Sequence, residues 1–390
     1  MLGLIFVLGV LGADATLDNP ASAPPTMGKE REHGVDALGL PLVSFNSDTG
    51  IGYGAAGGAF FYAPGFFPFR AGLSAQVFFT SKGQQNHFLQ LDFPKLFAGL
   101  RTEGRFEFRR DLFEPYYGAG NQSSPGANID THLKQFSYDR IRPAAFVRFR
   151  ARPFGPQHPL QPYFGLRVQT NVVRTYENSL LAAQQPLGIS GGFNNQLVLG
   201  ALWDTRDDEN DTHRGGMEEV VVRVSDRSLG SRYRYVGFHL EERRFVPVGR
   251  RLVVAERVAF DALVGAVPFY EWIQFGGISD AEGLGGLSSV RGVPLDRYGG
   301  NLKAFSNTEL RFEFLGFPLL GVRTTLGGLA TFDFGRTWQP GLAAGPWYAW
   351  HSAAGGGLRL ARRAAVVRFD WAVALDDGRQ ALYVAFGQLF

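Results

Sequence analysis

Cysteine is absent from the 390 residues, which excludes disulfide frameworks, thiol chemistry and cysteine-based zinc sites. Long apolar runs are missing as well. Past the N-terminus nothing approaches the ~18 continuous apolar residues that a membrane helix requires, so any crossing of a bilayer has to be made by strands closed into a barrel. Charge of one sign is also lacking: 39 Lys and Arg stand against 36 Asp and Glu, for a net +3. No block of five like charges occurs, and nucleic acid is not an expected partner. The seven His are scattered without H-E-x-x-H or i, i+4 spacing, so no metal site and no cofactor is expected.

What is present is glycine and aromatic surface: 51 Gly, 35 Phe and 14% aromatic residues, with only 19% charged. Mean hydropathy is nevertheless close to zero, at -0.08. Strands that alternate apolar and polar residues produce that cancellation while keeping one large apolar face. Leu2 to Leu11 form an apolar run followed by Ala13-Asp14-Ala15, so residues 1–15 read as a signal peptide, although no Lys or Arg precedes the run. Residues 16–38, rich in Pro, Ala and charge without periodicity, read as a flexible periplasmic linker, and residues 39–390 as one domain.

Within that domain a two-residue period recurs between clusters of Gly, Pro, Asn and Asp. Arg101, Glu103, Arg105, Glu107 and Arg109 share one strand face, with Thr102, Phe106 and Phe108 on the other. Glu309, Arg311 and Glu313 oppose Leu310, Phe312 and Phe314, and Arg368 and Asp370 oppose Phe369, Trp371 and Val373. Aromatic clusters at 60–62, 269–272 and 347–350 read as interfacial girdles. Short connections at 63–65, 246–249 and 361–363 interleave with long ones near 111–131, 176–192 and 265–300. These features predict an all-β protein, a membrane-spanning antiparallel barrel of about sixteen strands in the bacterial outer membrane. The strands are expected at about 39–46, 50–62, 69–80, 85–93, 99–110, 134–150, 161–175, 194–204, 217–225, 232–245, 251–264, 302–315, 320–334, 348–360, 364–375 and 380–390. Glu256 breaks the alternation unless a bulge turns it inward.

Several motifs stand on this frame. Ser289-Val290-Arg291-Gly292-Val293 and Tyr298-Gly299-Gly300 lie in the sixth external loop and are followed by Asn307-Thr308-Glu309-Leu310-Arg311-Phe312, and Phe332-Asp333-Phe334-Gly335 lies on the thirteenth strand. Ser47-Asp48-Thr49-Gly50 follows the first strand, Tyr117-Gly118-Ala119-Gly120-Asn121 lies in the third external loop, and Asp204-Thr205-Arg206-Asp207 opens a periplasmic turn. The last strand carries Tyr383 and Phe386 and ends on Phe390. Together these resemble the BamA-like outer-membrane assembly and secretion barrels, the bacterial surface antigen family. The resemblance implies that loop six, with Val290, Arg291 and Gly292, folds into the lumen and that Arg291 pairs with Asp333 near Gly335. It also implies that Tyr383, Phe386 and Phe390 form a C-terminal insertion signal, and that Asp204, Arg206 and Asp207 form a turn motif. It covers the barrel alone, since the stretch ahead of the first strand is too short for a polypeptide-transport-associated domain.

On that resemblance the chain is expected to insert or transport polypeptide or lipid clients through a lateral seam and lumen. The partners implied are outer-membrane lipid, unfolded outer-membrane proteins and a periplasmic accessory protein. A passive pore for small solutes is the alternative, and a hydrolase a remote one. Gly188-Ile189-Ser190-Gly191-Gly192 matches a nucleophile elbow only formally, because that elbow needs a strand before it and a helix after; no catalytic residue is assigned and no enzyme is expected. Asp207, Glu209, Asp211 and Glu218 imitate a calcium loop, but Thr212 stands where the loop needs Gly.

Overall fold

The computed structural model describes residues 33–66, 68–97, 99–123, 133–155, 158–208, 211–277, 281–319, 322–362, 365–386 and 389–390. The expected signal peptide, and the expected linker up to residue 32, lie outside the described residues.

Sixteen long strands close into an antiparallel barrel, each paired with its sequence neighbour and the last with the first. They are β1 Gly34–Asn46, β2 Gly50–Tyr62, β3 Ala71–Thr80, β4 Gln84–Phe93, β5 Arg101–Pro115, β6 Ser137–Arg150, β7 Leu160–Thr175 and β8 Gln196–Asp204. The second half comprises β9 Gly215–Ser225, β10 Arg234–Val248, β11 Leu252–Ala266, β12 Leu302–Leu319, β13 Val322–Trp338, β14 His351–Arg362, β15 Ala365–Ala374 and β16 Gln380–Phe386. A two-residue strand, Gly192–Phe193, adds to β7, and the one short α-helix among the described residues, α1, is Leu180–Gln184.

Burial decides which way the alternating faces point. On β15, Arg368 and Asp370 are 2% and 1% exposed, while Phe369 and Trp371 are 44% and 43% exposed. On β12, Lys303, Asn307, Glu309 and Arg311 are buried, while Leu310, Phe312 and Phe314 are exposed. The charged face thus lines the inside and the apolar face looks out, the reverse of a water-soluble sandwich and the arrangement of a barrel surrounded by lipid.

Five expectations need correction. β1 begins at Gly34, so residues 34–38 of the expected linker belong to the barrel. Val246 to Val248 lie in β10, and the turn follows them. No bulge rescues Glu256: the ladder is irregular between Asp111 and Glu114 and between Glu313 and Leu315 instead. Glu256 stays on the outward face, where the hydroxyls of Ser306 and Thr308 donate to its carboxylate, the latter at 2.6 Å. Phe269 and Tyr270 are buried with Tyr116, Tyr138 and Tyr233 instead of forming a girdle. Finally, β16 is described as far as Phe386, Leu389 and Phe390 lie in no strand, and Phe390 packs against Phe245, Val253 and Ala255 of β10 and β11. An aromatic ring gains more buried contact there than it would in an outward row.

Candidate functional site

The segment between β11 and β12 is tied to inward-facing residues at three successive points. Asp261 on β11 receives both guanidinium nitrogens of Arg223, at 3.0 and 3.1 Å, and the ammonium of Lys303 at 3.1 Å. The same carboxylate accepts the backbone N–H of Gly276 at 3.0 Å, which anchors the start of the segment. Further on, Arg257, bonded to Glu241 at 2.9 Å, donates to the carbonyl of Ser288 at 3.2 Å. A backbone that turns away from a sheet has lost its ladder partners, and these side chains replace them.

The third point is the motif itself. Arg291 is fully buried and donates from Nε and Nη2 to the two oxygens of Asp333, at 2.7 and 2.6 Å, a bidentate fork. Its Nη1 donates to Glu309 at 2.7 Å, and its backbone N–H to Asp333 at 3.2 Å. Asn307 also donates to Asp333, at 2.8 Å. Glu309 in turn accepts from Arg368 at 2.6 Å and from Arg311 at 2.8 Å, and Arg368 donates to Asp370 at 2.9 Å. Three guanidiniums thus meet three carboxylates, which is how buried charge avoids an uncompensated desolvation cost. In the sequence Asn307, Glu309 and Arg311 belong both to a strand face and to the stretch 307–312 that resembles the family's motif, and Arg368 and Asp370 to a strand face alone. Their inward period was visible in the sequence, but their convergence across β12, β13 and β15 was not.

The two glycines of the motifs are there for room. A Cβ on Gly292, whose φ is +93°, would lie 2.8 Å from the backbone nitrogen of Ala374; on Gly335 it would lie 2.7 Å from Leu284 Cδ2. Val290 is buried with Phe275, Leu284, Val293 and Phe305. Gly292 donates its N–H to the hydroxyl of Tyr383 on β16 at 3.2 Å, and Leu295 donates its own to Asp48, beside the end of β1, at 3.3 Å. The same segment therefore touches both sides of the β1–β16 junction. Gly120 donates to the carbonyl of Gly299 at 2.8 Å, so the motifs at Asp48 and at Gly120 both meet it.

The junction is short. Gly34 to Asn46 are paired along their whole length with β2, but among the described residues β16 meets β1 only at Phe45↔Val384 and Asn46↔Tyr383. Ser47 adds backbone and hydroxyl bonds to Leu382 at 3.2, 3.2 and 2.9 Å.

At the opposite end, Asp204 holds Arg206 in a fork at 2.9 and 2.8 Å, while Asp207 accepts the N–H groups of Asp208, His213 and Arg214. Asp211 pairs with Arg359 and Glu218 with Arg244, so the carboxylates of the calcium-like spacing point to different partners; Glu209 lies outside the described residues. His213 Nε2 is 3.2 Å from Glu313. Burial alone would lower its pKa, but the nearby Asp211 and Glu313 carboxylates raise it above the ordinary histidine value. Of the expected C-terminal signal, Tyr383 faces inward, Phe386 ends β16, and the carbonyl of Phe390 accepts from Arg311 at 3.3 Å. Ser190 lies exposed in a turn between α1 and the two-residue strand at Gly192.

A family model described as the Omp85 superfamily domain matches residues 58–390. No curated protein matches the chain in sequence. Among solved structures the barrel is similar to BamA from Haemophilus ducreyi lacking POTRA domains 1–3, with a TM-score of 0.61 and 14% identity over 91% of this chain and 70% of that one. It is similar to CdiB from Escherichia coli, with a TM-score of 0.56 and 13% identity over 90% and 62% of the two chains. CdiB from Acinetobacter baumannii gives 0.53 and 14% over 98% and 74%.

Proposed function

The chain belongs to the Omp85 superfamily, and from that premise we propose that it is an assembly or translocation barrel whose β1–β16 seam opens to accept a strand of an unfolded client. The observation that carries this reading is the asymmetry of β1. It is fully paired on one edge, while on the other its described partners are Val384 and Tyr383 beside its C-terminal end. An edge strand in a bilayer offers N–H and C=O groups that nothing in hydrocarbon satisfies, which makes strand addition by a client favourable. The buried arginine segment acts as the latch, because Gly292 and Leu295 hold opposite sides of the seam. A periplasmic accessory protein delivers the client, and outer-membrane lipid surrounds the outward apolar face.

A steady solute pore fits less well, because the Arg291 segment occupies the inward faces of β12, β13 and β15. The test uses the absence of native cysteine. Phe45→Cys with Val384→Cys places two thiols on residues in register across the seam. Oxidation of that pair should abolish client insertion into vesicles, and reduction should restore it. Full activity with the seam covalently closed would reject the proposal.

A further inference from the structure

The hydrogen bonds around β1 show which of its residues form the seam edge. N–H and C=O groups alternate sides along an antiparallel strand, and the register of β1 with β2 runs unbroken from Gly34↔Tyr62 to Asn46↔Gly50. Ile51, opposite Phe45, gives its N–H to the Ser81 hydroxyl at 3.0 Å and accepts the Ser81 N–H at 2.7 Å, both on the β3 side. Phe61, opposite Val35, accepts the N–H of Arg70 on that same side at 2.8 Å. Phe45 and Val35 therefore turn their own backbone groups away from β2, and so does every second residue between them: Ala37, Gly39, Pro41 and Val43. Ser47 agrees from the other side, since its N–H reaches the carbonyl of Leu382 on β16 at 3.2 Å.

Pro41 thus stands on the seam edge with no N–H to offer. That is the orientation in which a sheet tolerates proline, because the missing donor breaks no bond to β2. The consequence falls on whatever pairs across the seam. A strand zipped onto β1 finds donors at Phe45 and Val43, meets the pyrrolidine ring in place of a donor at Pro41, and finds the next donor at Gly39. The carbonyl opposite Pro41 is left without a partner in hydrocarbon, where no water replaces it. We propose that Pro41 is the release point of the seam: it keeps β1 from zipping along its whole length to an incoming strand, so that the strand is held by two short ladders and is let go again. The inference rests on the reading of the seam as the client's contact edge, and adds the residue that makes the contact reversible.

The test uses the full refolded chain in micelles of an uncharged detergent and two dye-labelled peptides that copy its own last strand. In the register of Phe45 with Val384, a copy of residues 380–386 reaches Val43 and stops short of Pro41, whereas a copy of residues 380–390 runs past it. Pro41→Ala and Pro41→Val each restore the N–H, and Pro41 is exposed, so either change leaves the buried face of β1 as it is. Both should slow dissociation of the longer peptide about three- to tenfold, the worth of one added hydrogen bond, and leave release of the shorter one unchanged. Equal slowing of both peptides would mean that the substitutions act through the stiffness of β1, and would overturn the proposal. Binding of both peptides with release of the longer one unchanged in either variant rejects Pro41 as the release point and leaves the seam reading intact. Saturable binding of neither peptide rejects the seam as a strand-accepting edge, and this inference with it.

Discussion

Arg291 makes its contribution by what its loss would leave behind. Asp333 and Glu309 are buried to the same degree as the guanidinium between them, so their charges would stand against low-dielectric surroundings once Arg291 was gone. Breaking a buried pair in this way costs about 3–5 kcal/mol, whereas replacing all its members with apolar groups costs little. Arg291→Ala should therefore lower barrel stability by about that amount, read as the urea midpoint of unfolding from lipid vesicles. Arg291→Lys should recover only part of it, because one ammonium cannot bridge both oxygens of Asp333 and still reach Glu309. The double variant with Asp333→Ala should lose clearly less than the sum of the two single changes, since each single change already removes the shared interaction. Strict additivity would mean that the pair is incidental to the fold.

At the scale of elements, β1 is the strand whose behaviour matters most to function. A photoreactive residue in place of Leu38, which is exposed on the unlatched part of the strand, should crosslink to nascent outer-membrane proteins in growing cells. The same probe at Phe369, on the outward face of the fully paired β15, should not. Equal labelling from both positions would remove β1 as the contact strand. The strands themselves were legible because a period of two survives in any single strand: β2 matches its expected limits, and most others differ by a few residues. The Arg291–Asp333 pairing was readable through motif resemblance. What was not readable depends on contacts between distant elements. Phe269 and Tyr270 look interfacial until Tyr116, Tyr138 and Tyr233 are placed around them. Phe390 looks like the last step of an outward row until the tail is seen to reach Phe245. Glu256 needed a neighbouring strand to supply two hydroxyls at the right height.

In the whole molecule, contacts cross the end of the barrel that carries the β8–β9 turn and join strands far apart in the sheet. The turn between β8 and β9 reaches β14 through Asp211 and Arg359, and β12 through His213 and Glu313. The tail beyond β16 reaches β10 and β12 through the ring and carbonyl of Phe390. Of these ties, the one from His213 responds to pH near neutrality. Its pKa is raised in the folded protein by Asp211 and Glu313, so the protonated ring is the form that the docked turn favours. The contribution is fully present below the unfolded histidine value of about 6.5 and is lost as pH rises through the higher folded value. His213 is partly exposed, so solvent screening keeps the effect on global stability small, and local opening of the turn is the sensitive readout. Amide hydrogen exchange at residues 211–214, corrected for the intrinsic pH dependence of exchange, should show protection that falls as pH rises above the unfolded histidine value of about 6.5. His213→Gln should flatten that profile without shifting protection in β9. A profile that stays pH-dependent in the glutamine variant would place the titrating group elsewhere.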